Sequence, residues 1–249
     1  MAKRFEISDN LGVRLLFTLG ASEDKSFDEL VKKESLRYHD IIRQNFHDTY
    51  YNLTWKAIMA VRFVKEHCDN VKYILVTNDD IIMNLWEVIE TLSLYSEIGK
   101  PKEELERTVF CYVIHHLKVV RNPKNKWYAS RIEFPNDYYN DYCSGVAVII
   151  PSQLISNMFK ASKNAPYYKI DDYFMTGVLA TKAGAKFKDI STKILDHASR
   201  KNRSGFSSGR FLFQPTGTVE QAEAMWNNLK RYYDRRQKQQ KRSNKALHF

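Results

Sequence analysis

The sequence predicts an α/β fold, because apolar strand-like runs alternate with amphipathic helical segments along most of the chain. The clearest strand signal is the aromatic and branched run at residues 73–76, which ends abruptly in the polar triplet Asn78, Asp79 and Asp80. The chain has 249 residues, of which 43% are hydrophobic, so it can form one large domain, or at most two, with a sizeable core.

The first half of the chain reads as strand and helix units in close succession. Strands are predicted at residues 13–20, where Gly20 closes an apolar run, and at 40–42. Apolar residues at helical spacing predict helices at 26–38, 53–68 and about 85–96.

The second half continues the alternation around a loop-rich aromatic segment at residues 118–140. Strands are predicted at residues 108–115, 146–150 and 186–190. Helices are predicted at residues 153–162, 173–183 and 217–233. A Ser/Gly-rich loop is predicted at 203–209. No G-x-G-x-x-G, P-loop or G-x-S-x-G pattern occurs, so the sequence gives no dinucleotide, P-loop or serine-hydrolase signature.

Positive charge is concentrated at the C-terminus. The net charge is +10, and residues 230–249 hold eight Lys/Arg and one acid, which leaves only about +3 for the rest of the chain. Such a run is typical of a solvated helix end or a tail. Nucleic-acid-binding domains place their basic residues on a folded face, so no nucleic-acid partner is predicted.

The chain has three cysteines without metal-ligand spacing: Cys68, Cys111 and Cys143. One disulfide can form, and its pairing stays open. Two N-glycosylation sequons, at Asn52 and Asn202, matter only if the chain enters the secretory pathway. The longest uncharged stretch, 142–159, is too short and too polar to predict a membrane span.

Two acidic clusters are candidate functional residues. Ligands bind beyond the carboxyl ends of strands in open α/β sheets, and oxygen atoms at 78–80 would suit Mg²⁺ or Mn²⁺. The same residue types are common in turns and helix caps, so both interpretations remain open. Asp171 and Asp172 precede a predicted helix, where N-capping is the simplest role.

Five motifs occur in a characteristic order and spacing: residues 34–56, 76–84, 126–145, 171–177 and the intervening Cys68. The first contains Asp40-Ile41-Ile42 and Asp48-Thr49-Tyr50-x-Asn52-Leu53-Thr54-x-Lys56. The others correspond to the patterns K-x-D-D-D-V-F-V-N, K-W-Y-x-S with Y-C-S-G, and E-D-V-Y-x-G. Together they resemble the inverting β-1,3-glycosyltransferases of the galactosyltransferase type, glycosyltransferase family 31, over roughly residues 13–200.

The resemblance implies a GT-A-like nucleotide-sugar transferase fold, with a Rossmann-like mixed sheet flanked by helices. It implies transfer of galactose or an N-acetylhexosamine from a UDP-sugar to a glycan acceptor hydroxyl, with inversion to a β-1,3 linkage. Mn²⁺ or Mg²⁺ would be the cofactor. The expected location is the lumenal side of the Golgi membrane, as a type II membrane glycoprotein held by an anchor that this sequence does not contain.

The resemblance also assigns roles to individual residues. Asp172 would be the general base that takes the proton of the acceptor hydroxyl. The nucleotide and diphosphate residues would be Asn78, Asp79 and Asp80. The metal ligands would be Asp80 and His197, and the cation would stabilise charge on the departing UDP. The substrate residues would be Trp127, Tyr142, Gly145 and Asp171. Core packing remains the alternative for aromatic residues such as Trp127, Tyr138 and Tyr139.

Two features depart from the family pattern. Asn78 stands where the family has its first Asp, so weaker metal affinity is expected. The family's first strand unit, with R-x-A-I-R-x-T-W, has no counterpart here, so the sequence is either an incomplete version of a longer protein or a degenerate member. The predicted organisation is a leader (1–12), a glycosyltransferase domain (13–229) and a basic tail (230–249). A weakened or inactive binding module is the alternative to an active hexosyltransferase.

Overall fold

The computed structural model describes residues 11–97, 99–195 and 204–246. The strands are β1 (Phe17–Ala21), β2 (Ile41–His47), β3 (Tyr73–Thr77), β4 (Ile81–Met83), β5 (Thr108–Ile114), β6 (Tyr142–Pro151), β7 (Lys186–Asp189) and β8 (Phe213–Pro215). The helices are α1 (Lys25–Tyr38), α2 (Leu53–His67), α3 (Leu85–Glu97), α4 (Lys102–Leu105), α5 (Ile155–Ser162), α6 (Ser204–Ser207) and α7 (Val219–Ala246). Short 3₁₀ turns cover Tyr50–Asn52, Ser152–Leu154 and Ser191–Lys193, and a π-helical segment covers Tyr173–Ala180.

The strands form a mixed central sheet and two smaller pairs. The central sheet has the order β3-β6-β5-β7, in which β6 runs antiparallel to both neighbours and β5 and β7 are parallel. β1 pairs with β2 in parallel, and β4 pairs with β8 in antiparallel fashion. This mixed architecture confirms the predicted α/β class and is the one expected of a GT-A-like fold.

The central sheet buries side chains on both faces, because alternate residues of a strand point to opposite sides. One cluster contains Val109, Cys111 and Val148 and is covered by α2, α5 and the π-helical segment. The opposite cluster contains Phe110 and Ile149 and is covered by α3 and β8. Burial on both faces explains why β5 and β6 are continuous apolar runs in the sequence.

The C-terminal helix α7 packs on α3 through aromatic and polar contacts. The rings of Trp86 and Tyr233 stack with centroids 4.8 Å apart. Asn84, which is fully buried, accepts a hydrogen bond from the Glu87 N–H and donates one of 3.2 Å to the Tyr233 hydroxyl. α7 continues without a break past position 230, where the basic segment begins. Within the described residues, no helix is both long and apolar enough to cross a membrane.

Several predicted boundaries change in the structure. β1 begins at Phe17 instead of residue 13, and β6 begins at Tyr142 instead of 146, because apolar alternation does not mark the Cys143–Gly145 stretch. The loop predicted at 203–209 contains α6, whose Phe206 is buried in a cluster with α7. α1 is a helix as predicted, but none of its residues is buried. The helix predicted at 173–183 is π-helical over most of its length.

Candidate functional site

The centre of the candidate site is a contact between Asp172 and Gly145. Asp172 stands at the start of the π-helical segment, a helix type that often marks functional sites. The Gly145 N–H donates a 2.9 Å hydrogen bond to Oδ2 of Asp172. A β-carbon at position 145 would overlap this carboxyl, since it would lie 2.8 Å from the Asp172 Cγ. Glycine is therefore required for the carboxyl to come this close to the strand.

An irregularity in β6 frees the N–H groups that bind the π-helical segment. Cys111 pairs with Val148, but Val113 pairs with Cys143, so β6 bulges between these two positions. The Cys143 N–H donates to the Thr176 hydroxyl at 2.9 Å, two residues before the Gly145 N–H reaches Asp172. The Thr176 hydroxyl in turn donates to the Asp172 carbonyl oxygen at 2.7 Å. The Gly145 N–H thus holds the Asp172 carboxyl directly, and the Cys143 N–H holds the same segment through Thr176.

A disulfide joins the strands at the edge of this bulge. Cys111 of β5 and Cys143 of β6 are bonded, with Cα atoms 5.6 Å apart, and both are fully buried. Cys68 is the free cysteine among the described residues. This settles the pairing that the sequence left open. The disulfide lies two residues from Gly145, so it ties the bulge to the neighbouring strand.

Asp171 and Asp172 form a pair of half-buried carboxyl groups with altered acidity. Burial, together with the negative charge of Asp171, raises the pKa of Asp172 to about 7 against the lowering effect of the Gly145 N–H. Burial also raises the pKa of Asp171. Asp172 makes no side-chain cap bond, whereas the Asp171 carboxyl accepts from the backbone N–H groups of Asp171 and Asp172 at the start of the helix. A partly buried carboxyl with a pKa near neutrality is a candidate general base.

The triplet Asn78, Asp79 and Asp80 lies on an exposed turn between β3 and β4. The Ile81 N–H donates to the Asn78 carbonyl oxygen at 3.3 Å, and the Asp80 carbonyl oxygen accepts from the Thr216 N–H at 2.7 Å. The turn interpretation therefore describes the backbone correctly. The capping interpretation is wrong for these residues, because Asn84 caps α3.

The turn and Asp172 lie at the same end of the central sheet. Thr77, the last residue of β3, pairs with Ala147 of β6, and its hydroxyl donates to the Val146 carbonyl oxygen at 2.7 Å. Val146 is the immediate neighbour of Gly145, which binds Asp172. Adjacent residues of β6 thus connect both acidic clusters, which the sequence separates by some ninety positions.

The residues of the turn suit a hard divalent cation. Asp79 and Asp80 offer exposed carboxylates and Asn78 an amide oxygen. Magnesium-type sites commonly use one or two carboxylates and complete their coordination with substrate phosphates and water. Over the described ranges, no three His, Cys, Asp or Glu side chains gather into a group that could hold a metal alone. His197, the second predicted ligand, falls outside the described residues.

The aromatic residues predicted to contact substrate or to pack in the core include both buried and exposed side chains. Tyr142 is buried, and burial together with the charge of Asp172 raises its pKa strongly, so it lies within electrostatic reach of Asp172. Tyr139 is also buried, whereas Tyr138 is half-exposed and stacks on His116. Trp127 is 48% exposed, and its indole N–H donates to the Tyr50 hydroxyl at 3.1 Å. Core packing is therefore right for Tyr139 but not for Tyr138 or Trp127.

Tyr50 is a site residue that sequence reasoning did not single out. Burial and the charges of Asp171 and Asp172 raise its pKa, so its hydroxyl lies within electrostatic reach of both. It links Trp127 to the carboxyl pair through the indole hydrogen bond. Its position in the motif at residues 48–56 was the available signal. In that same motif Thr54 is fully buried, and its hydroxyl donates to the Tyr168 carbonyl oxygen.

The chain is similar to known galactosyltransferases. A family model described as galactosyltransferase matches residues 2–191. Mouse β-1,3-galactosyltransferase 5 is 29% identical over 181 residues, covering 73% of this chain and 56% of the relative. Mouse and human β-1,3-galactosyltransferase 1 are each 30% identical over 172 residues, covering 69% of this chain and 51% of the relative. The chain thus spans about half the length of the curated relatives it matches.

Proposed function

Since this chain belongs to the galactosyltransferase family, we propose that it forms the domain of a hexosyltransferase that uses a UDP-sugar donor. The donor sugar is galactose or an N-acetylhexosamine, and the product is a β-1,3-linked glycan formed with inversion. The proposed location is the lumenal face of the Golgi membrane. The observation that carries the proposal is the hydrogen-bonded, half-buried carboxyl of Asp172, whose pKa lies near 7.

Asp172 serves as the general base in this proposal. The acceptor hydroxyl oxygen attacks the anomeric carbon while its proton passes to the Asp172 carboxylate, and the bond between that carbon and the UDP oxygen breaks. A base with a pKa near the working pH is both deprotonated and able to hold the proton. The Gly145 N–H holds Oδ2 of this carboxyl in place.

The turn at 78–80 would hold the diphosphate end of the donor. Asp79 and Asp80 would bind Mn²⁺ or Mg²⁺, which would act as a Lewis acid and stabilise charge on the leaving UDP. Asn78 contributes an uncharged oxygen, so it supports a weaker cation site than a third carboxylate would.

Activity can be tested with the purified chain, Mn²⁺ and three donors: UDP-galactose, UDP-N-acetylglucosamine and UDP-N-acetylgalactosamine. UDP release in the presence of acceptor glycans should fall about 100-fold or more in Asp172→Asn, which keeps the shape but removes the base. Asp69→Asn, at an exposed acid away from the site, is the matched control. Release that survives both Asp172→Asn and Asp80→Ala would remove the assigned roles.

A second candidate is a binding module without catalytic activity. The uncharged Asn78 favours it, as does the small number of carboxylates that the described residues bring to the turn. Calorimetry with UDP and Mn²⁺ discriminates between the two. UDP binding that strengthens with Mn²⁺, together with donor turnover, supports the enzyme, whereas glycan binding without turnover supports the module.

A further inference from the structure

A surface cleft of about 330 Å³ opens next to the carboxyl pair and is lined by Tyr51, Asn52, Glu133, Tyr167, Tyr168 and Lys169. The last three of these residues directly precede Ile170 and Asp171 in the chain. Burial and the charge of Asp171 raise the pKa of Tyr167, so this hydroxyl lies within electrostatic reach of Asp171. The cleft therefore lies near the candidate site, two residues along the chain from Asp171, and was not anticipated from the sequence.

The aromatic wall of the cleft is held firmly in place. The Tyr167 hydroxyl donates to the Tyr51 carbonyl oxygen at 2.7 Å, and its ring stacks on Trp55 with centroids 5.2 Å apart. The buried Thr54 hydroxyl ties the neighbouring Tyr168 backbone to the start of α2. Even so, Tyr51 and Tyr167 are 57% and 45% exposed. Fixed aromatic rings that remain exposed offer binding area with little further loss of entropy.

The polar side of the cleft has balanced charge. Lys169 forms an ion pair of 3.2 Å with Oε1 of Glu133, and Oε2 of Glu133 accepts from the N–H and hydroxyl of Ser130. The lysine ammonium has three donors, and Glu133 takes one of them. Because one cation and one carboxylate offset each other, the cleft favours a neutral ligand with hydroxyl groups over an anion.

We propose that this cleft binds a second sugar residue of a neutral oligosaccharide acceptor, adjacent to the residue whose hydroxyl reaches Asp172. The C–H face of a pyranose packs on aromatic rings such as Tyr167, while its hydroxyls bond to Lys169 and Glu133. The volume lies at the small end of ligand pockets and suits one or two sugar residues. The inference rests on the proposed role of Asp172 and names where the acceptor extends from it.

Binding of defined saccharides to the full chain, without donor or metal, tests this inference. The probes are two matched pairs: methyl β-N-acetylglucosaminide with GlcNAcβ1-3Galβ1-4Glc, and methyl β-galactoside with Galβ1-4GlcNAcβ1-3Gal. In at least one pair the trisaccharide should bind about fivefold more tightly or better, with NMR saturation transfer to its second residue. Tyr167→Ala should abolish this gain, Lys169→Met should reduce it, and Tyr167→Phe should retain it.

Tyr232→Ala is the control, because it removes a tyrosine of similar exposure on α7. If Tyr167→Ala does not fold, Lys169→Met decides. The inference is overturned if neither trisaccharide gains over its monosaccharide, or if the gain survives the variants that fold. These results can be told apart from a failure of the proposed function. Sugar transfer without this gain in affinity would support Asp172 as the base and contradict the proposed subsite. A gain in affinity without sugar transfer would support the subsite and contradict the proposed transferase activity.

Discussion

The Gly145 N–H and the Asp172 carboxyl are joined by a 2.9 Å hydrogen bond across 27 positions of sequence. The bond depends on the absence of a side chain at position 145, because a β-carbon there would overlap the carboxyl. Gly145 also stands within the bulge of β6, between Cys143 and Val148, which pair with β5. The orientation of the proposed base is therefore set by a strand irregularity and a glycine.

Replacing Gly145 with alanine should reduce transfer activity about 100-fold, because displacement of a reacting group by about 1 Å has effects of this size. The added methyl group must push the Asp172 carboxyl aside or shift the strand. Initial rates of UDP release measure the loss, and urea unfolding separates it from a general loss of stability.

Gly217→Ala is the matched control, since a β-carbon there would meet only the flexible end of Gln221. Equal activity of Gly145→Ala and the wild type would show that the carboxyl tolerates displacement. It would also remove the argument that Gly145 positions the base.

How much of this site the sequence could predict depends on the range of each interaction. The motifs identified Asp172 and Gly145 separately, because each belongs to a local pattern. Their contact needs the register of β6 against β5 and the bulge between Cys143 and Val148, and neither leaves a mark in hydrophobic periodicity. The sequence also does not predict that Tyr173–Ala180 is π-helical, since its apolar residues would suit any buried helix.

The fold was easier to predict than the cleft. Buried strands such as β5 are long apolar runs, so their existence follows directly from composition. The cleft combines residues from three separate segments, near 51, 133 and 168, and its aromatic members resemble core residues in the sequence. Only the fold shows that Tyr167 is exposed whereas Tyr168 is buried.

The rate of transfer should fall as the pH drops below about 7, because the pKa of Asp172 is raised to about 7 and its protonated form cannot accept a proton. The sign follows from the carboxyl being neutral at low pH. When kcat/KM is measured between pH 5 and pH 9, it should fall about tenfold for each pH unit below the pKa, as expected when one group titrates.

Asp171→Asn should move this acid limb to lower pH, because it removes the negative charge that helps to raise the pKa of Asp172. Asp69→Asn serves again as the control and should leave the limb unchanged. A limb that stays in place in Asp171→Asn would assign the titration to another group.

Loss of the Cys111–Cys143 disulfide should lower the free energy of unfolding by about 4 kcal/mol, the size expected for a cross-link between residues 32 positions apart. The double variant Cys111→Ala/Cys143→Ala can be compared with the wild type by guanidinium unfolding without reductant. Cys68→Ala is the control, because that thiol is free. Adding reductant should destabilise the wild type and leave the double variant unchanged. Identical midpoints for both proteins would show that the cross-link adds no stability.

Asn78→Asp should strengthen Mn²⁺-dependent binding of UDP, because it adds a carboxylate to the exposed turn that already carries Asp79 and Asp80. An added charge within about 4 Å of a bound cation contributes on the order of 1 kcal/mol at an exposed site, so the gain should be at least about fivefold. Calorimetric titration of UDP with and without Mn²⁺ measures it. Asn70→Asp adds the same charge at another exposed position and should leave binding unchanged. Equal gains in both variants would indicate a general charge effect and would show that position 78 is not part of the cation site.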